Sequence, residues 1–224
     1  MTSPWEVFYE GLPLVAAPYG GGLARTVAVG LRGGGLVVVS PGPRADEARA
    51  ALERWGPVRF LLAPNHFHNA GLAEWASHCP SAAIVAHPNA HARLHKKVPG
   101  VAIGDLEALR ATLPEGTRLL SLPMAKQGET WLAVHAGPLR ALVVCDAVTN
   151  MSRTTAVTWL LGFRARLMTN PFFKRVFLTD KQAYKEWMLA ELSAHPPNLF
   201  IPAHGKVLLG DEVAKELERV TACA

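Results

Sequence analysis

Residues 61–71 read Leu-Leu-Ala-Pro-Asn-His-Phe-His-Asn-Ala-Gly, and the rest of the chain is best understood from this stretch. Its first residues end an apolar run with strand character, and Pro64 stops that run. His66 and His68 follow with one residue between them, on a loop that leads into a helix-like segment. Side chains two apart in an extended segment point the same way, so both imidazoles can face one point. Such a pair is half of a metal site.

The composition is that of a globular protein. Of the 224 residues, 50% are hydrophobic and 18% are charged, which is enough for one sizeable core, and we expect a single domain over residues 1–224. The first residues lack the apolar core of a secretory signal, and no apolar run reaches the length of about 20 residues that a membrane helix needs. Three widely spaced cysteines, Cys79, Cys145 and Cys223, do not form a disulfide framework pattern. These features predict a cytoplasmic protein.

Strands and helices alternate on both sides of the two histidines. Residues 26–31 and 36–40 read as a hairpin, and residues 44–55 read as an amphipathic crossover helix that leads to a strand at 58–63. Further strands are expected at 82–86, 118–122, 130–135, 140–145 and 198–202, and helices at 72–78, 89–97, 105–113 and 211–221. From residue 148 to residue 195 the pattern is helical. The chain is therefore predicted to be of the α/β class, with antiparallel hairpins in its sheets.

Candidate metal ligands follow three of the predicted strands. His66 and His68 come after one strand, Asp146 after a second and His204 after a third. The loops at the carboxyl ends of strands are where α/β proteins place their sites, because these loops are supported yet exposed. Two or three imidazoles and one carboxylate suit Zn²⁺ or Fe²⁺.

The order of these features resembles the metallo-β-lactamase superfamily. That family has an αββα four-layer sandwich, which holds one or two metal ions at one edge. The resemblance runs from residues 36–42, Leu-Val-Val-Val-Ser-Pro-Gly, to residues 201–205, Ile-Pro-Ala-His-Gly. Residues 63–65, His68, residues 149–150 and residues 202–205 resemble more closely a branch that is a domain of unknown function, which implies a fold but no particular reaction.

The sequence departs from the superfamily pattern at several metal positions. The family motif is His-x-His-x-Asp-His, whereas residues 66–71 read His-Phe-His-Asn-Ala-Gly, so the Asp and the third His are absent. Ala125 corresponds to a further family histidine, and Cys145 precedes Asp146 where glycine is usual. The resemblance therefore implies at most one well-formed metal site. Its ligands are drawn from His66, His68, Asp146 and His204.

Three functions remain open at this point. The first is a hydrolase of esters or phosphoesters, in which Zn or Fe activates water and Asp146 and His204 take part in catalysis, His204 as a fourth ligand or as a base. The second is a binding module that has lost catalysis and is metal-free, its pocket histidines bonding to each other and to Asp146. The third is a mononuclear iron oxygenase, because two imidazoles and a carboxylate also bind Fe²⁺.

A basic and apolar stretch follows the carboxylate. Residues 151–179, here called the basic segment, contain no acidic residue, and arginines and lysines alternate there with tryptophan, leucine and phenylalanine. We expect a helical flap over about residues 150–195 that packs over the pocket. In it, Arg153 or Arg164 would steer a small anionic substrate, and a membrane-surface helix is the alternative. No nucleic-acid motif accompanies the net charge of +5, so a specific nucleic-acid partner is not expected.

Overall fold

The computed structural model describes residues 5–223. Its strands are β1 (Glu6–Tyr9), β2 (Leu14–Tyr19), β3 (Ala24–Gly30), β4 (Leu36–Val39), β5 (Val58–Ala63), β6 (Ala83–Ala86), β7 (Ile103–Gly104), β8 (Arg118–Ser121), β9 (Thr130–Ala136), β10 (Leu139–Val144), β11 (Val148–Asn150), β12 (Leu167–Thr169), β13 (Leu199–Pro202) and β14 (Leu208–Leu209). Its helices are α1 (Ala45–Leu52), α2 (Leu72–His78), α3 (Pro88–Lys97), α4 (Glu107–Arg110), α5 (Ala156–Leu160), α6 (Lys181–Ala194) and α7 (Val213–Ala222). A 3₁₀ turn, Glu53–Trp55, extends α1, and a π-helical turn, Phe173–Phe177, precedes α6.

The strands form two large sheets and one small one. The first sheet has the order β1-β2-β3-β4-β5-β6-β7, and the second has the order β14-β13-β10-β9-β8. The small sheet consists of β11 and β12, which are antiparallel. In the first sheet β4, β5 and β6 run parallel, and in the second β10 and β13 run parallel. The helix between β4 and β5 is thus the crossover that the sequence predicted.

Three apolar cores separate four layers. In β4, Val37 and Val39 lie in the core between the two large sheets, whereas Leu36 and Val38 face α1 and α2 on the outside. The outer face of the second sheet packs on α6 and α7, as at Leu142. Because residues of a strand alternate between its faces, each sheet buries both faces, one on the other sheet and one on helices. The αββα four-layer arrangement expected from the sequence is therefore confirmed.

The prediction that residues 148–195 are helical is partly wrong. Residues 148–150 and 167–169 form β11 and β12, and only α5 and α6 are regular helices in this stretch. These strands are three residues each, too short to show a period of two, and Asn150 of β11 also pairs through its backbone with the chain at His204 and Gly205. The helix expected at 105–113 is shorter, at Glu107–Arg110, and β1 and β2 were not predicted.

The carboxyl ends of β4, β5, β10 and β13 meet at one edge of the sandwich. Ser40 follows β4 directly, Asp146 follows β10 and His204 follows β13. His68 lies on the turn between β5 and α2. Parallel neighbours necessarily end at the same edge of a sheet, so this topology brings distant parts of the chain together.

Gly71 sets how closely the β5–α2 turn approaches the β4–α1 loop. A Cβ atom added at Gly71 would lie 1.9 Å from the Gly42 carbonyl oxygen, and the Gly71 N–H donates to the Pro41 carbonyl oxygen at 2.9 Å. We expect Gly71→Ala to reduce the free energy of unfolding by about 3 kcal/mol, because the backbones must separate. Urea denaturation checks this. Gly104→Ala, whose Cβ would meet the Ile84 oxygen at an ordinary 3.6 Å, should cost far less, and equal losses would contradict the account.

Within residues 5–223, no helix combines the length and the apolar content needed to cross a bilayer. The basic segment is nevertheless attached to the core of the protein by two buried side chains. Leu167 and Phe173 anchor it in the outer core of the second sheet, and α5 projects outward from these anchors.

Candidate metal centre

Three ligand atoms converge at the edge where the carboxyl ends of the strands meet. The Nε2 atom of His68 lies 3.3 Å from Oδ1 of Asp146, and the Nε2 atom of His204 lies 3.0 Å from the same oxygen. The two Nε2 atoms are 3.2 Å apart. His68 is 6% exposed and Asp146 is 17% exposed. The triangle formed by these three ligand atoms, here called the donor triangle, is therefore enclosed by protein on all sides but one.

The backbone fixes which nitrogen of His204 carries a proton. Its Nδ1 lies 2.6 Å from the Leu23 carbonyl oxygen, and a carbonyl can only accept a hydrogen bond, so Nδ1 donates. In the neutral imidazole, Nε2 therefore presents a lone pair to the carboxylate oxygen of Asp146. Two acceptors at this distance repel each other unless a cation lies between them. The site is thus built to hold either an additional proton or a metal ion.

The spacing of the donors fits a transition-metal ion. Ligands about 2.0 to 2.2 Å from one cation lie about 3 to 3.5 Å from each other, which matches the distances among His68, Asp146 and His204. Two imidazoles and one carboxylate on one side of an ion are the donor set of Zn²⁺ and of non-haem Fe²⁺. This arrangement leaves the remaining coordination positions free on the open side.

Ser40 orients His68 from behind. The Oγ atom of Ser40 lies 2.7 Å from Nδ1 of His68 and 3.1 Å from the Tyr19 hydroxyl. The Thr26 hydroxyl donates to the carbonyl oxygen of Ser40 at 3.0 Å. Ser40 has φ +54°, a left-handed conformation that a residue with a side chain rarely adopts. Such strain is found where the surrounding structure enforces it, and here it aims the hydroxyl at the imidazole.

Arg25 holds the loop that carries His204. Its guanidinium donates to the carbonyl oxygens of Pro202 at 2.6 Å and Gly205 at 2.9 Å, on either side of the histidine. The N–H of Asn150, in β11, donates to the His204 carbonyl oxygen at 3.0 Å. The imidazole is therefore positioned by β3 on one side and by the small sheet on the other.

Asn65 fills the space behind Asp146. Its Oδ1 accepts the backbone N–H groups of Phe67 and His68, which fixes the orientation of the amide. Its Nδ2 then donates toward Asp146 Oδ2 at 2.7 Å, Glu129 Oε2 at 3.0 Å and Cys145 Sγ at 3.2 Å. Ligand atoms of Glu129, Cys145 and Asp146 lie within 4.8 Å of one another, a separation that would suit a second cation. An amide nitrogen occupies that position instead.

Burial and charge set the acidity of the groups around this centre. Burial alone would raise the pKa of the Asp146 carboxyl, but the charge of His68 and hydrogen bonds from His204 and His68 hold that pKa well below its usual range. Burial lowers the pKa of the His204 imidazole, and the hydrogen bond and charge of Asp146 together outweigh it and raise that pKa above its usual value. Burial and the charge of Asp146 raise the pKa of Glu129 to about 7. Burial likewise raises the pKa of the Cys145 thiol, so this cysteine is not a reactive thiolate.

A large apolar cavity lies on the open side of the three donors. Its volume is about 770 Å³, and His68, Asp146 and His204 form part of its wall. The rest of the wall is mainly aromatic and aliphatic. These side chains are Tyr19, Leu23, Phe67, Met151, Phe163, Phe172, Phe173 and Phe177. No lysine or arginine is among the lining residues, so the cavity suits an uncharged, apolar ligand.

His66 lies outside the group of three donors. Its ring packs edge-on against Phe67 at 4.2 Å and Phe177 at 6.3 Å between ring centroids. The segment after Pro64 is a turn and not an extended strand, because Asn65 accepts two successive backbone N–H groups. Residues two apart do not point the same way in a turn, so the pairing of His66 with His68 at one ion does not arise here. Burial and the charge of Arg93 lower the pKa of the His66 imidazole.

The two arginines predicted to steer an anionic substrate do not line the cavity. Arg153 is exposed, and Arg164 donates to the carbonyl oxygens of Trp159 and Phe163 at 2.8 and 2.7 Å. The Arg164 guanidinium also stacks over the Trp159 ring at 4.7 Å. It is therefore engaged in holding α5 in place.

The sequence did not reveal the residues that support the donors. Ser40, Asn65 and Arg25 act through partners 28, 81 and 180 residues away, so no local pattern marks their roles. Ser40 and Asn65 nevertheless gave a signal, since each is a polar residue just past the carboxyl end of a buried strand. Glu129 is a further supporting residue, fully buried behind the donors.

Comparison with known proteins agrees with this architecture. No family model matches the chain, and no curated protein matches it. Among solved structures, the peroxy diiron form of the chemotaxis sensor ODP gives a TM-score of 0.62 at 15% identity over 96% of this chain and 94% of that one. DIM-1 metallo-β-lactamase exposed to ceftazidime gives 0.61 at 11% identity over 98% and 96%. A metallo-β-lactamase from Erythrobacter litoralis gives 0.59 at 16% identity over 98% and 92%. The chain therefore has the metallo-β-lactamase fold, as its sequence predicted.

Proposed function

We propose that this protein is a metal-dependent hydrolase with a single metal ion, acting on esters that have an apolar group. The observation that supports this most strongly is the position of the three donors, His68, Asp146 and His204, whose free coordination side faces the apolar cavity. A donor set with open positions beside a cavity large enough for a small organic molecule is the arrangement of a catalytic rather than a structural metal site.

His68, Asp146 and His204 would hold the ion, which when bound acidifies water and polarises a substrate carbonyl. Ser40 and the Leu23 carbonyl keep the two imidazoles in the ligand orientation, so little reorganisation accompanies binding. The aromatic wall binds the apolar part of the ester and excludes bulk water from the donors. Because no lysine or arginine lines the cavity, we favour a carboxylic ester over a phosphoester.

The Thr149 hydroxyl is available for a hydrogen bond inside the cavity. Its hydroxyl is buried, lines the cavity and has no hydrogen-bond partner among residues 5–223. A buried unpaired hydroxyl is costly, and a substrate oxygen would satisfy it. We expect Thr149→Val to lower kcat/KM for an ester by about tenfold, the value of one hydrogen bond, with little change in metal content. Steady-state kinetics check this, and Thr154→Val, outside the cavity lining, is the control.

A series of 4-nitrophenyl esters with lengthening acyl chains tests the proposed activity. The purified chain, loaded with Zn²⁺ or Fe²⁺ under nitrogen, should hydrolyse these esters, with kcat/KM rising as the chain lengthens to fill the cavity. His204→Ala should remove both the activity and the metal, measured by elemental analysis. His135→Ala changes an exposed histidine on β9 and should leave both intact. Stoichiometric metal without any ester hydrolysis would contradict the hydrolase.

The same donor set favours one other candidate, a mononuclear iron oxygenase. Two histidines and one carboxylate on one side of an ion are typical of Fe²⁺ enzymes that use oxygen. The discriminating measurement is oxygen consumption by the Fe²⁺-loaded protein in the presence of apolar substrates, with the Zn²⁺-loaded protein as control. Oxygen uptake that depends on Fe²⁺, without ester hydrolysis, would favour the oxygenase. If neither ion binds, the fold serves as a metal-free binding module.

A further inference from the structure

The short helix α5 exposes large apolar side chains. Val157 is 68% exposed, Trp159 56% and Leu160 79%, and Leu161 directly after the helix is also exposed. These four residues are here called the apolar tip. Among the helices of residues 5–223, only α5 exposes three large apolar side chains. Contiguous exposed apolar patches are typical of sites that bind a protein, a ligand or a membrane.

A basic cleft lies directly beside the apolar tip. It has a volume of about 290 Å³ and is lined by four cationic side chains, Arg166, Lys174, Arg175 and Arg219, and by no acidic residue. Lys174 donates to the Cys223 carbonyl oxygen at 2.9 Å, which fixes its position on the wall. Four cations around a small cleft form a strongly positive site that attracts an anion of phosphate size.

The tip lies between this basic cleft and the cavity at the metal centre. Gly162, which follows the tip, lines the cleft, whereas Thr158 within α5 and Phe163 after it line the cavity. Arg175 reaches the Leu161 carbonyl oxygen at 3.5 Å and so connects the cleft to the tip. One face of the molecule therefore presents an anion site, an apolar projection and the opening of an apolar cavity side by side.

We propose that this face docks on an anionic lipid membrane. The apolar tip enters the boundary between headgroups and acyl chains, and the basic cleft takes a lipid phosphate. Tryptophan and leucine beside arginine and lysine are the composition of segments that bind at such interfaces. The cavity then opens toward the bilayer, so that the ester substrate is an amphiphile taken from the membrane. This last step rests on the proposed hydrolase activity, whereas the docking does not.

A second copy of the chain is a poorer occupant of the same face. A symmetric dimer through the tip would place the basic cleft of one copy near that of the other, and no acidic residue of the basic segment would offset the repulsion. An anionic lipid surface instead complements the cleft and the tip together. Charge complementarity therefore favours the membrane.

Vesicle flotation tests the docking with the intact chain. The protein should float with vesicles of phosphatidylcholine and phosphatidylglycerol, bind phosphatidylcholine alone at least about tenfold less, and dissociate at high salt. A tip variant, Trp159→Ser with Leu160→Ser, and a cleft variant, Arg166→Ala with Arg219→Ala, should each lose most of this binding. Matched controls change an exposed leucine on β14, Leu209→Ser, and an arginine at the start of β5, Arg59→Ala, and should float normally.

The outcomes separate the docking from the proposed activity. Failure of the unaltered protein to float, or equal flotation of the tip variant, would overturn the docking. A dimer detected by sedimentation that the tip variant abolishes, without flotation, would assign the face to a second copy. If inorganic phosphate at millimolar concentration displaces the protein from the vesicles no better than chloride of equal ionic strength, then the cleft binds phosphate only as part of a lipid surface. The same variants should keep their metal content and their hydrolysis of a soluble ester. A loss of either would count against the proposed hydrolase and not against the docking.

Discussion

Replacement of Asp146 by alanine is expected to lower the affinity for Zn²⁺ by more than about a hundredfold and to abolish hydrolysis. Asp146 is the one anionic member of the donor triangle, and its Oδ1 lies within 3.3 Å of both imidazole nitrogens. Without it, two neutral imidazoles would have to hold the ion alone. The affinity is measured by competition with a chromogenic chelator on protein purified without added metal.

The controls for this change separate metal binding from folding. Asp211→Ala removes an exposed carboxylate on the loop before α7 and should leave the affinity unchanged. Asp146→Asn keeps the shape and size of the side chain but removes the charge, and should bind the ion nearly as poorly as the alanine variant. Circular dichroism of each variant reports the fold. An unchanged Zn²⁺ affinity in folded Asp146→Ala would contradict the assignment of the donors.

Replacement of Asn65 by alanine is expected to reduce the free energy of unfolding by about 3 to 5 kcal/mol. The Asn65 amide donates to Glu129, Asp146 and Cys145, and it accepts two backbone N–H groups of its own turn. Its loss leaves two buried carboxyl groups facing each other without a donor between them. Urea denaturation of the metal-free protein measures the effect.

Asn69→Ala is the matched control for this change. Asn69 lies in the same turn and donates a single hydrogen bond to the His66 carbonyl oxygen, so its loss should cost only about 1 kcal/mol. If Asn65→Ala is no less stable than Asn69→Ala, then the amide does not compensate the two acidic groups. A second readout is metal stoichiometry, because the space freed in Asn65→Ala lies among three potential ligands and should accept a second Zn²⁺.

The position of Asn65 explains why a single metal ion is expected. Its Nδ2 lies between the ligand atoms of Glu129, Cys145 and Asp146, so a second cation would have to displace it. The absence of an acidic residue and a further histidine at Ala70 and Gly71 points to the same conclusion from the sequence. The structural observation is stronger, because it shows what takes the place of the ion.

Much of the fold could be predicted because it follows from local patterns. The run 58–63, the helix at 72–78 and the hairpin around residues 32–35 have clear apolar periods and turn residues, and each is present in the structure. The convergence of Asp146 and His204 followed from a topological rule, since parallel strands end at a common edge. These parts required no knowledge of long-range contacts.

The parts that were not predicted depend on tertiary contacts. His66 and His68 would face one point only in an extended segment, whereas the Asn65 side chain folds this segment into a turn. The strand β11 pairs with β12 on one side and, through the backbone of Asn150, with the distant loop of His204 on the other. The arginines expected to steer a substrate are also placed elsewhere, since Arg164 is bonded within the basic segment and the cations of the cleft do not line the cavity beside the three donors.

The most direct test of the metal centre is an anomalous-scattering map of crystals grown with Zn²⁺ or Fe²⁺, recorded on both sides of the absorption edge of the metal. We expect one strong peak per chain, about 2.0 to 2.2 Å from His68 Nε2, His204 Nε2 and an oxygen of Asp146, with no peak at the Asn65 amide. A peak bound to His66, a second peak between Glu129 and Cys145, or no peak at the three donors in metal-soaked crystals would contradict the account.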